Sequence, residues 1–195
     1  MSLIDRAKNI IVSPKTEWEV IANEEPNVGQ IFTGYVIPLA LVPAVASFIG
    51  WGFIGVGPVS GITLGIAYGV ISLLTSLIGV YVFAFVVNLL APNFASEKDM
   101  GRAMQLAAYG YTPMWVGGIL NILPFIGWLG SLFGLYGIYL MYLGFPHTMK
   151  TPQDKVVIYM IVAVIVLMIV YFVVAAILTS IIFGIFGIGL MSMMG

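Results

Sequence analysis

The sequence predicts an all-α, polytopic membrane protein with five transmembrane helices and a short amphipathic N-terminal region. Of the 195 residues, 61% are hydrophobic and 8% are charged, whereas soluble domains carry about 25% charged residues. The charges fall in three islands, at 5–25, 97–102 and 150–155. The uncharged blocks lie at 26–96, 103–149 and 156–195. About 20 apolar residues cross a bilayer, so these blocks have room for two, two and one spans.

Residues 1–29 are predicted to form a cytoplasmic amphipathic segment. One face of its first helix is apolar at helical spacing, which is typical of a helix lying on the membrane surface. The residues of that face are Leu3, Ile4, Ala7, Ile10 and Ile11. Ser13-Pro14 predicts the start of a second short helix, and Trp18 on it favours an interfacial anchor. We expect both helices to tether this segment to lipid; recruitment of a soluble partner is the alternative.

Residues 30–195 are predicted to form the transmembrane domain. Span 1 covers 30–50 and contains two prolines, Pro38 and Pro43, each of which removes a backbone donor and tends to kink a helix. A glycine-rich turn at 51–60 leads to span 2.

Span 2, at 61–90, carries a ladder of small residues. Gly61, Gly65 and Gly69 recur every four residues, a spacing that lets helix backbones approach closely. We expect the ladder to pack inside the bundle; a dimer seam is the alternative. Asn88 is the one amide of this span, and we expect it to hydrogen-bond a neighbouring helix or the interface; a bond to a substrate is the alternative.

The block from 103 to 149 is predicted to hold two spans joined by an uncharged turn. Span 3 covers 103–123, with Pro113 near its start, and span 4 covers 127–144. In span 4 tyrosines recur every three residues around Tyr139, a pattern typical of an aromatic packing stripe. Span 5 covers 156–183, and the remaining tail, too short to cross again, is expected at the far interface or folded against the bundle.

The basic residues predict the orientation. All seven Lys and Arg lie in the three islands, and the five spans place them on one side of the membrane. Because cytoplasmic loops carry the excess of Lys and Arg, we expect a cytoplasmic N-terminus and an outer C-terminus. In a prokaryote this is an integral protein of the cytoplasmic (inner) membrane.

The residues give no support for an enzyme or a cofactor protein. No Asp, Glu, Lys or Arg lies inside a predicted span, and His147 is the only histidine. The Gly-rich phosphate loop and the paired histidines of zinc hydrolases are both absent. We therefore expect no catalytic residues, no metal and no cofactor. A net charge of −1 implies no attraction to nucleic acid.

Three segments resemble the Yip1 family of membrane proteins, in its bacterial and archaeal branch. They are Ser13-Pro14-Lys15-Thr16-Glu17-Trp18, Ala108-Tyr109-Gly110-Tyr111-Thr112-Pro113, and the stretch from Tyr136 to Gly144 with Met149-Lys150-Thr151-Pro152. The resemblance implies five spans with a cytoplasmic N-terminus. Eukaryotic relatives are linked to Rab GTPases and vesicle traffic, but this chain lacks their DLYGP-type signature, and prokaryotic relatives have no settled activity.

Three functional hypotheses follow. The first is a non-enzymatic scaffold or adaptor that holds membrane or cytoplasmic proteins or lipids. The second is a permeation protein for small solutes or ions, using amides and the carbonyls freed by prolines in spans 3 and 4. The third is an accessory subunit of a larger membrane complex, and an oligomer is compatible with all three. The candidate partner or packing residues are Trp18, Asn88, Arg102, Tyr109, Pro113, Asn121 and Tyr139.

Overall fold

The computed structural model describes residues 1–56 and 58–185, and their architecture is helical. The α-helices of these residues are α1 (Leu3–Val12), α2 (Pro14–Ala22), α3 (Val28–Ile31), α4 (Ile37–Ile49), α5 (Ile62–Leu90), α6 (Met100–Gly110), α7 (Thr112–Gly117), α8 (Leu132–Thr148) and α9 (Gln153–Ile185). Two π-helical turns, Phe32–Val36 and Gly50–Ile54, extend the helix containing α4 at both ends. Short 3-10 turns occupy Ala91–Phe94, Gly118–Ile122 and Gly127–Ser131. The predicted tail begins after residue 183, and its residues 186–195 lie outside the described part.

Four helical segments of the described residues are long and apolar enough to cross a membrane. They are Val28–Ile54, Ile62–Phe94, Gly127–Thr148 and Gln153–Gly184. The all-α membrane class is therefore confirmed. The count of five spans stays a prediction, because the third predicted span is not one continuous helix.

That third span, expected as a single helix at 103–123, is broken. Helix α6 ends at Gly110, α7 begins at Thr112, and a 3-10 turn completes the segment at Ile122. Pro113 has no N–H to continue the ladder, which accounts for the break. Helix α6 nevertheless lies in the centre of the bundle, because its residues from Ala103 to Gly110 are all buried.

Helix α8 extends beyond the predicted end of span 4 at Gly144. It continues through Pro146 to Thr148, so His147 lies on the helix and not in the loop that follows the predicted span. The Thr148 hydroxyl donates to the Gly144 carbonyl at 3.0 Å, and His147 Nδ1 lies 2.8 Å from the Leu143 carbonyl. These side chains bond carbonyls in the turn where the proline interrupts the backbone ladder.

The small-residue ladder of α5 faces α4. A Cβ atom at Gly65 would lie 2.6 Å from the Phe48 carbonyl oxygen and 2.7 Å from Gly52 Cα, and one at Gly69 would lie 3.1 Å from the Ala44 carbonyl. These two glycines therefore pack inside the bundle and allow α5 to approach α4 closely, as small residues do between membrane helices.

The N-terminal helices pack onto the bundle. Helix α1 buries Arg6, Ala7 and Ile10, while Ile4, expected on its lipid-facing side, is 75% exposed. Ala7 and Ile10 belong to the same hydrophobic cluster as the bundle helices, and the Ile11 carbonyl accepts a 2.7 Å hydrogen bond from the Tyr136 hydroxyl on α8. The apolar face of α1 is thus covered partly by protein.

The three charged islands meet at one end of the bundle, which we call the charged end. Arg102 Nη1 donates to the carbonyls of Ile21 and Glu24, at 3.3 and 3.0 Å, and joins the first two islands. Lys150 Nζ binds Glu97 Oε1 at 2.7 Å and joins the last two. At the opposite, uncharged end, the turn Gly50–Ile54 contacts the turn Gly118–Ile122, and the Asn121 carbonyl packs against Gly50.

Candidate functional site

A buried arginine organises the charged end. Arg6 is 6% exposed and donates from Nη1 to Glu17 Oε1 at 2.6 Å, and Glu17 is 4% exposed. The other guanidinium nitrogen, Nη2, pairs with Glu24. The guanidinium carbon also lies 5.4 Å from the ring centroid of Tyr109 on α6, within reach of a cation–π interaction. We call Arg6, Glu17, Glu24 and Tyr109 the arginine cluster.

Aromatic rings connect the arginine cluster to the break in span 3. The Tyr109 ring meets Trp18 edge-on at 6.2 Å and Tyr35 at 4.9 Å between centroids. The Tyr35 hydroxyl lies 2.7 Å from Thr112 Oγ1, and Thr112 is the residue directly before Pro113 in the chain. The N-terminal segment is therefore joined, side chain by side chain, to the middle of the bundle.

Trp18 lies inside the protein rather than at a lipid interface. Its side chain is fully buried, and a Cβ atom at Gly144 would lie 2.7 Å from the indole ring. Only a glycine on α8 leaves room for the ring at this distance. The predicted anchoring of Trp18 in lipid is thus wrong, and Trp18 instead packs α2 on the bundle.

Arg102 closes the end of α2. Its guanidinium donates to the last carbonyls of that region and to Gln105 Oε1, at 3.1 Å. A cation at a helix C-terminus bonds carbonyls that have no helical donor. Arg102 is half-buried and fixes α2 on α6.

An open cleft of about 290 Å³ lies beside the arginine cluster. Its floor carries Gln105 and Tyr109 from α6, its sides carry Arg6 and Tyr35, and Glu24 and Glu25 stand at its rim. Gly34, in the π-helical turn of the first span, forms an open part of the wall, because a Cβ atom there would meet no atom within 4 Å. Buried polar side chains thus line a space that solvent or lipid can enter.

The remaining candidate residues lie apart from this cleft. Asn88 Oδ1, on α5, is buried and has no hydrogen-bond partner among the described residues, so this atom does not make the expected bond to a neighbouring helix. Pro113 is buried at the start of α7. Asn121 lies at the uncharged end, near Gly127. Tyr139 on α8 is 42% exposed and so lies outside the core.

The sequence did not indicate the inward position of Arg6. Its partners lie 11 and 18 residues further along the chain, beyond the end of α1 at Val12, so the periodicity of α1 does not place them beside Arg6. The signal available in the sequence was that Arg6 shares one face of the helix with Ala7 and Ile10. A charge within an apolar face needs a buried partner, so this position indicates a buried ion pair.

Comparison with known proteins agrees with this architecture. The Yip1 domain model matches residues 8–177. Two similar proteins are the inner membrane protein YohC of Escherichia coli strain K12 and that of E. coli O6:H1, each 28% identical over 120 residues. The match covers 58% of this chain and 61% of the length of each of these relatives.

No solved structure matches the chain. The apolar helices and the inner-membrane relatives identify an integral, multi-pass membrane protein. Since the domain model covers well over half of its residues, this chain belongs to the Yip1 domain family.

Proposed function

We propose that this protein is a non-enzymatic membrane adaptor whose charged end forms a rigid cytoplasmic platform for other proteins. The observation that carries the proposal is the direct bonding of all three charged islands, by Arg102 to the carbonyls of Ile21 and Glu24 and by Lys150 to Glu97. Three segments that are distant in sequence thereby form one surface. Its exposed charged groups include Lys15, Glu19, Lys98, Lys150 and Asp154.

The proposal includes five membrane crossings. Arg102 and Lys150 lie at the same end of the bundle, and the candidate span Gly127–Thr148 leads from the uncharged end back to the charged end. The segment from Met100 to Ile122 must then run the opposite way, which supports its role as a fifth, broken crossing. Its interior position means that neighbouring helices can shield the break from lipid, as broken backbone in membranes requires.

The orientation is proposed from the basic residues and tested by labelling. The natural chain has no cysteine, so a single introduced cysteine reports one position. We expect Ser60→Cys and Ser131→Cys to react with an impermeant maleimide on intact cells, and Lys98→Cys and Gln153→Cys to react only after the membrane is opened. Labelling of Ser60→Cys and Lys98→Cys from the same compartment contradicts the arrangement.

The packing of spans 3 and 4 supports an adaptor over a permeation protein. A Cβ atom at Gly117 would lie 2.6 Å from the Phe133 ring, and one at Gly130 would lie 2.8 Å from the Gly117 carbonyl. Spans 3 and 4 are therefore in close contact here, which leaves no space for a permeation path lined by the carbonyls that the prolines leave unbonded. Asn121, the amide expected to serve such a path, packs at the uncharged end.

The adaptor role is tested by site-specific crosslinking in native membranes. A photoreactive amino acid at Glu19 or Lys98 is expected to capture the same protein. One at Ser60, which is also exposed but lies at the other end, is expected to capture none of it. The charge reversal Lys98→Glu should reduce the adduct formed from Glu19. Equal capture at both ends, or solute flux through proteoliposomes that Asn121→Leu abolishes, would reject the adaptor in favour of other functions.

A further inference from the structure

We propose that the cleft at the charged end binds a primary ammonium group carried beside a phosphate, as in the headgroup of an ethanolamine phospholipid. This inference does not depend on the adaptor role, because it concerns a ligand of the purified protein. It rests on the acceptors at the rim, the donors on the floor, and the position of the cleft relative to the first span.

The rim supplies acceptors for a cation. Glu25 is exposed and bonds no other side chain in the described part of the chain, and the Glu24 side chain is 40% exposed although one oxygen pairs with Arg6. The charge of Arg6 is already compensated by Glu17 and Glu24. An ammonium group has three donors and no acceptor, so it complements the rim carboxylates.

The floor supplies donors for an anion. Gln105 is 2% exposed, and its Oε1 atom accepts from Arg102, which leaves the Nε2 group without a partner among residues 1–56 and 58–185. The Tyr109 hydroxyl is likewise unpaired within these ranges, while its ring is held by Arg6, Trp18 and Tyr35. Two fixed donors beside a guanidinium suit a phosphate oxygen.

The position of the cleft suits a lipid headgroup. Ile31 and Gly34 form part of the cleft lining and belong to the first turns of the candidate span Val28–Ile54. Gln105 and Tyr109 lie five and nine residues beyond Met100, which corresponds to about 7–14 Å along the helix at ~1.5 Å per residue. The opening at Gly34 and the polar floor thus lie near the end of the candidate span that faces the charged islands, which is the end where a headgroup would enter.

The test compares headgroups on the purified full-length protein. Equal amounts of phosphatidylethanolamine and phosphatidylcholine with identical chains are added, and bound lipid is measured by native mass spectrometry. We expect a preference for the ethanolamine lipid of about tenfold, as expected for one charge-assisted hydrogen bond that the quaternary ammonium cannot make. Equal binding of the two lipids would overturn the proposal.

Two substitutions locate the site. Glu25→Gln is expected to remove most of the preference. Glu19→Gln, at another exposed acid that lies on α2 outside the cleft, should leave it unchanged. Tyr109→Phe keeps the ring but removes the floor donor, and should weaken binding of both phosphate-bearing lipids without changing the preference. A preference that persists in Glu25→Gln places the lipid elsewhere and rejects the cleft.

Soluble glycerophosphoethanolamine separates the two sources of this chemistry. If calorimetry detects binding of the soluble compound, and Glu25→Gln abolishes that binding, the headgroup without its acyl chains is sufficient for binding at this cleft. Binding of the lipid alone identifies the membrane as the source. Neither outcome depends on whether a protein partner is captured at Glu19 or Lys98.

Discussion

Replacing Arg6 by methionine is expected to destabilise the folded protein by about 3–5 kcal/mol, the cost of leaving a buried charge without its partner. The reason is the position of Glu17, which is 4% exposed and has Arg6 as its ion-pair partner in the described chain. Methionine fills a similar volume, so lost packing contributes little. The measurement is denaturant-dependent unfolding of the purified protein in detergent.

Two comparisons separate the charge from the packing. Lys150→Met breaks an ion pair whose side chains are 67% and 56% exposed, and is expected to cost about 0–1 kcal/mol. The double variant Arg6→Met/Glu17→Met removes both buried charges and should regain most of the lost stability, because apolar replacement of a whole buried pair is often neutral. A double variant as unstable as Arg6→Met would show that the pair is not the cause.

The ends of the membrane bundle were predictable because charge and hydrocarbon exclude each other. The islands at 97–102 and 150–155 predicted where the helices turn, and α5, at Ile62–Leu90, begins within a residue of its predicted start. The turn between spans 3 and 4 also lies where Pro124 and Gly127 indicate a break in the helices. These signals are local, and each depends on one strong physical preference.

The candidate site was less predictable because lipid and protein interiors are both apolar. The sequence of α2 predicts an apolar side but not what covers it, so it predicts a lipid anchor for Trp18, although Gly144 of α8 receives its ring. The role of Gly144 is visible only when α2 and α8 are placed together. The same holds for the cleft, because its rim at Glu25 and its floor at Gln105 belong to segments that are distant in sequence.

Gly65→Ala is expected to cost about 1–3 kcal/mol, the usual penalty for inserting an atom into a packed interface, and Gly65→Leu considerably more. A Cβ atom at this position would lie 2.6 Å from the Phe48 carbonyl oxygen and 2.7 Å from Gly52 Cα. Both are backbone atoms, so no side-chain rotation relieves the contact and α4 must move away from α5. The thermal stability of the monomer in detergent measures the effect.

Gly79, on the same helix, gives the matched control. A Cβ atom there would meet no atom within 4 Å, so Gly79→Ala introduces no clash, and alanine is the better helix former by about 1 kcal/mol. The comparison also decides between the two roles considered for the glycine ladder. If Gly65→Ala leaves the monomer as stable as Gly79→Ala but dissociates an oligomer, the ladder is a dimer seam; a destabilised monomer means that α4 needs Gly65 to reach α5.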